Sequence, residues 1–168
     1  MQSRSRMITV CSIMTAIGLI LGYIESFIVI PIRIPGIRLG LANIVTVLTL
    51  YLCGPMYALA VQLIRITLSA LLFGSPITFL YGLCGSILAF AAMVILKRYD
   101  FSIIGVSVGG AVFHNTGQIV AAYFMIMNPY VFYYIPALSI AAVAAGLIVG
   151  ALSKVLLNRL DHYGKGSI

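Results

Sequence analysis

Very few side chains in this sequence can do chemistry inside the apolar stretches that make up most of it. Those that can are Glu25, Arg65, His114, Asn115 and Gln118. An ionisable group at the centre of a membrane helix costs about 2.5–3.5 kcal/mol on insertion scales, so each needs a physical reason to be there. His114 and Gln118 are four residues apart and share one helix face, with Asn115 beside them. Counting about 1.5 Å of rise per residue from the start of each run puts Arg65 and His114 near mid-membrane. Gln118 and Glu25 then lie a turn or two farther out. Such a set lines a polar cavity that holds a small solute. Equally, Glu25 and Arg65 can form an internal ion pair that fixes packing, with the His114 group serving neighbouring backbone. Both readings stand at this point. Arg33, Arg38 and Asn43, just after the first apolar run, are candidates to meet an anionic ligand at the mouth of such a cavity, with lipid headgroup contact as the alternative.

Reaction chemistry is poorly provided for. The chain has no DDxxD cluster for a Mg²⁺-diphosphate, no GxxxxGK[ST] loop, no Cys/His cluster with zinc spacing and no Ser-His-Asp set. Its Asp and Glu residues number 3, too few for metal-assisted phosphate chemistry. The expectation is a non-enzyme without cofactor or metal. The net charge of +7 does not imply nucleic acid, because the basic residues are spread thinly at the edges of apolar runs, where they set membrane topology. Cys11, Cys53 and Cys84 lie far apart in apolar segments, without the density of a disulfide scaffold.

The elements that must position these residues emerge from composition. Of 168 residues, 62% are hydrophobic and 8% charged, and the mean hydropathy is +1.17. A soluble domain is roughly 45–50% apolar and about 25% charged. Apolar runs extend over about 7–30, 39–53, 56–73, 77–96, 102–127 and 132–157, with the second the shortest. Between them stand breaks that no helix continues through: Pro31 to Arg38, Gly54-Pro55, Gly74-Ser75-Pro76, Lys97 to Asp100 and Asn128-Pro129. At about 20 residues per span the length allows six helices in one domain. Strands are a poor alternative because a membrane barrel needs segments of alternating polarity and these runs are apolar on all sides, and no internal repeat is visible. Arg4 and Arg6 before the first run resemble the start of a signal peptide, but cleavage there would release another apolar polypeptide that must itself be inserted, so a retained helix is expected.

With six spans, Arg4, Arg6, Lys97, Arg98, Lys154, Arg159 and Lys165 share one side, against Arg33 and Arg38 on the other. The positive-inside rule then puts both termini in the cytoplasm. Tyr130, Phe132, Tyr133 and Tyr134 fall at the outer interface, where amphipathic rings settle. Ser12-xxx-Ala16 and Gly18-xxx-Gly22 are small-xxx-small patterns that let another helix approach closely, inside the bundle or from a partner.

The stretches Pro35-Gly-Ile-Arg-Leu-Gly-Leu-Ala-Asn-Ile-Val45, Gly82-Leu-Cys-Gly85 and Gly109-Gly-Ala-Val-Phe-His-Asn-Thr-Gly-Gln118, with Arg65 between them, carry a resemblance over nearly the whole chain. By them the sequence resembles the Gx transporter family, often labelled heptaprenyl diphosphate synthase component I. That family is similar to the substrate-binding S components of energy-coupling factor transporters. The resemblance implies an all-α, six-transmembrane-helix bundle in a bacterial cytoplasmic membrane. It also implies an outward site for a small solute, and docking on a transmembrane coupling protein driven by two ATPases. Ser12 and Ala16 fall where S components carry a small-residue docking motif, with Ser in place of the usual first Ala.

Three functions are therefore expected to compete. The first is a subunit that captures a small, anionic or amphipathic solute and depends on partners for energy. The second is a non-catalytic membrane subunit of polyprenyl diphosphate or quinone synthesis, as the family label implies. The third is a helper in a membrane redox complex.

Overall fold

A computed structural model describes residues 4–27 and 40–165. These form six α-helices: α1 (Arg4–Phe27), α2 (Asn43–Leu52), α3 (Pro55–Phe73), α4 (Pro76–Arg98), α5 (Ile103–Ile126) and α6 (Ile135–Lys165). A short 3-10 helix, Pro129–Tyr134, precedes α6. No strand occurs among the described residues.

The breaks lie where proline and glycine dictate. Gly54, at φ +90°, turns the chain after α2, and Pro55 opens α3 with a fixed φ and no amide hydrogen to satisfy. Ser75 and Thr78 cap α4 reciprocally, each side chain bonding the other residue's backbone, with Pro76 at the first turn. Ser102 caps α5 through the Gly105 amide, and Met127, in the left-handed conformation, ends it. Asn128 then accepts from the Tyr130 amide to start the 3-10 turn.

Five segments are long and apolar enough to cross a membrane: Arg4–Glu25, Pro55–Phe73, Pro76–Arg98, Ile103–Ile126 and Pro129–Leu160. The remaining helix, α2, has 10 residues. At about 1.5 Å per residue it rises only about 15 Å, half of a bilayer's hydrocarbon core. It is nonetheless the centre of the molecule, with every residue from Ile44 to Leu50 buried. Val47 and Leu50 pack with Ala58, Ala89, Met93 and Val106 from α3, α4 and α5. Ile44 and Leu48 pack with Val149 and Leu157 of α6.

Register is set by the close approaches. Gly22 faces Ala42 and Gly18 faces Val45, while Cys11 and Cys53 lie close enough to influence each other. So α2 runs antiparallel to α1, and the segment from Gly40 to Cys53 returns from the depth of Glu25 to that of Cys11. Lys97, at the end of α4, donates to the Leu50 carbonyl at 2.6 Å and sits 4.5 Å over the Tyr51 ring. This ties the end of α4 to the end of α2. Gly117 lies against Cys84, Gly110 against Met93, Gly146 against Val108 and Gly150 against Ile104, so α4, α5 and α6 alternate in direction. One end of the bundle thus gathers the start of α1, the α2–α3 turn, the α4–α5 turn and the last turns of α6. The other end carries aromatic pairs, among them Tyr23–Phe73 (centroids 4.7 Å apart), Tyr123–Phe132 (5.2 Å) and Tyr130–Tyr133 (6.0 Å). Large exposed side chains such as Ile13, Ile20, Phe27, Leu71 and Ile140 cover the outside, as a hydrocarbon solvent allows.

Candidate functional site

Polar side chains collect in two tiers. Nearer the aromatic end, the buried Glu25 carboxylate of α1 accepts from the Gly40 amide at 2.6 Å. Gly40 has φ +72°, a conformation that favours glycine, and its carbonyl accepts from the Asn43 amide at 2.8 Å to start α2. Glu25 therefore anchors the approach to α2, and the half-buried Asn43 stands directly after it. Arg38, with Arg33, lies outside the described residues.

The second tier crosses the middle of the bundle. On α3, the Arg65 stem lies over Gly18 of α1, where a Cβ would stand 2.7 Å from its Cδ and 3.6 Å from Val45. Glycine at 18 therefore makes the room in which the arginine stem is laid. On α5, His114 Nε2 and Gln118 Nε2 are 3.2 Å apart and hydrogen-bonded, both half-buried. They pack on Gly85 of α4, where a Cβ would meet the His114 carbonyl at 2.7 Å and Gln118 Cγ at 2.9 Å. Gly82, one turn from Gly85, faces Ile66, the neighbour of Arg65. The Arg65 level and the His114–Gln118 level thus coincide to within about one helical turn.

The structure brings His114 and Gln118 together as their spacing requires. It turns Asn115 elsewhere: its amide donates to the Leu138 carbonyl of α6 at 3.0 Å. The small-residue patterns of α1 also separate. Gly18 and Gly22 face the bundle, whereas Ser12 and Ala16 are exposed on the opposite face.

Sequence reasoning passed over Gln62. It is 2% exposed, and its Nε2 donates to the Ser86 carbonyl at 2.8 Å, linking α3 to α4 beside Gly85. Its signal was a polar residue one turn before Arg65 in an otherwise apolar run. The assembled tier offers donors and acceptors at one depth, the equipment for holding a polar molecule in a low-dielectric setting.

A family model described as heptaprenyl diphosphate synthase component I matches residues 14–156. No curated protein and no solved structure matches.

Proposed function

The chain belongs to the heptaprenyl diphosphate synthase component I family, and from that premise we propose that it is a membrane-embedded solute-binding subunit of a transporter. It captures a small anionic or amphipathic solute from outside and relies on a transmembrane coupling protein and ATPase subunits for uptake. Six crossings are part of this reading, with α2 and its flanking turn making the second in the shelter of the other helices. Both termini face the cytoplasm of a bacterium, and the chain itself neither catalyses a reaction nor holds a cofactor. The observation that carries the reading is the tier of Arg65, His114 and Gln118 at one level of a bundle in which ionisable side chains are otherwise rare. Glu25, Arg38 and Asn43 serve its outer approach, while Asn115 contributes by fixing α5 to α6. Ser12 and Ala16, exposed on α1, offer the smooth face on which the coupling protein docks.

The family description favours a second reading, a non-catalytic membrane partner of a polyprenyl diphosphate synthase. Affinity purification from native membranes in mild detergent separates the two. The transporter reading expects a coupling protein and ATPases to co-purify. It also expects Ser12→Leu with Ala16→Leu to lower their yield at least tenfold while leaving the melting temperature of the isolated chain unchanged. Recovery of a prenyl synthase in their place would sink it.

A further inference from the structure

Gln62 has a role that joining α3 to α4 does not exhaust. Its amide orientation is fixed by chemistry: the Ser86 carbonyl only accepts, so the nitrogen must face it and Oε1 must point the other way. That Oε1 is shielded from solvent and accepts no hydrogen bond. Buried carbonyls in low-dielectric interiors are normally satisfied. Three residues along the same helix is Arg65, about a turn away and rotated by about 60°. Ser86, its anchor, comes directly after Gly85, against which His114 and Gln118 pack. Gln62 therefore stands near the depth of the α5 pair and about one turn along α3 from Arg65, with a buried acceptor left open.

On the solute-binding reading above, we propose that Gln62 is a further solute-contacting residue and that the solute is a small acid carrying a neutral N–H or O–H donor. The acid group meets Arg65, and the donor, a few ångströms away, meets Gln62 Oε1. A neutral donor is specified because an amide carbonyl discriminates strongly against a molecule that lacks the hydrogen, leaving the acceptor buried and unpaired. A purely structural Gln62 would make no such distinction.

The test uses the full chain in detergent and a panel of small carboxylic acids and phosphate monoesters in matched pairs. Members of each pair differ only by methylation of one O–H or N–H, as lactate differs from 2-methoxypropionate and N-acetylglycine from N-acetylsarcosine. Affinity is read from the shift in melting temperature with concentration. At least one donor-bearing acid is expected to bind at least tenfold more tightly than its methylated partner. That ratio should fall to about one in Gln62→Met and in Gln62→Asn, which withdraws the carbonyl by one methylene and serves if the first variant folds poorly. Equal binding of both members to the native chain overturns the proposal, as does a ratio that survives in either variant. If no acid on the panel binds while another molecule co-purifies, the acid assignment fails and solute capture stands. If nothing binds and nothing co-purifies, the capture reading itself falls.

Discussion

At the scale of single residues, the polar side chains of this bundle divide by what they touch. Asn115 gives its amide to the Leu138 carbonyl and thereby fastens α5 to α6. Interhelical hydrogen bonds of this kind contribute about 0.6 kcal/mol on average and up to about 1.7 in membrane proteins. Asn115→Ala is therefore expected to lower the melting temperature measurably and to leave solute occupancy nearly intact. His114 and Gln118 bond each other along one face of α5 and meet α4 at a glycine, so on the solute-binding reading they serve the ligand more than the packing. His114→Ala and Gln118→Ala should each reduce the fraction of purified protein carrying a co-purified solute, read by native mass spectrometry, at least tenfold, or about 1.4 kcal/mol. Their melting temperatures should barely move. Reversal of the two patterns would make Asn115 the ligand contact and the other two the packing residues. The pair was legible in the sequence because i, i+4 spacing alone puts the two side chains on one face. The partners of Asn115, Glu25 and Gln62 were not, since each lies on another helix or across a turn.

The helices themselves show two kinds of packing. Across α4, α5 and α6 the glycines bring backbone onto backbone: a Cβ at Gly146 would stand 2.6 Å from Val108 Cα, and one at Gly117 2.8 Å from the Cys84 carbonyl. Between α1 and α2 the contacts are between side chains, as at Gly22, whose Cβ would lie an ordinary 3.7 Å from that of Ala42. Gly146→Ala must push α5 and α6 apart, because no backbone atom can swing aside, and overpacking of this sort costs about 1–3 kcal/mol. Gly22→Ala fits without movement. Melting temperatures in detergent are expected to fall for the first and to hold or rise for the second, since alanine is the better helix former; equal gains would show that the glycines matter only through helix propensity. Hydropathy and proline placement made α3, α4 and α5 readable to within two residues, since each break is a local property of Gly54-Pro55, Gly74-Ser75-Pro76 or Asn128-Pro129. They failed at α2 and α6. The run over about 39–53 yields a helix of only Asn43–Leu52, because Gly40 takes a left-handed turn in order to meet Glu25. The run beginning at about 132 opens on a 3-10 turn, and α6 continues to Lys165 because helix formation outlasts the apolar stretch.

For the molecule as a whole, the alternation of helix directions decides which ends meet, and the charge on those ends decides orientation. Although α2 is short, its antiparallel register with α1 returns the chain to the level of Cys11, so α3 starts on the side where α1 began. The Lys97–Leu50 contact adds the end of α4 to that side, and Gly150 against Ile104 adds the last turns of α6. On the reading with six crossings the two termini share a side of the membrane; with α2 only dipping into the bundle they would lie on opposite sides. Of the 10 Lys and Arg residues, Arg4, Arg6, Lys97, Arg98, Lys154, Arg159 and Lys165 belong to this common end, whereas Tyr130 and Tyr133 crowd the other. Translocating such a cluster is disfavoured, so the proposed reading has this end face the cytoplasm. The test replaces the three native cysteines and introduces either Lys165→Cys or Tyr133→Cys, the latter at a position 79% exposed. An impermeant maleimide applied to intact cells is expected to label Tyr133→Cys and to reach Lys165→Cys only after the membrane is opened. Labelling of Lys165→Cys alone in intact cells would invert the molecule, and labelling of both would mean that α6 does not carry the chain across the membrane between the two positions.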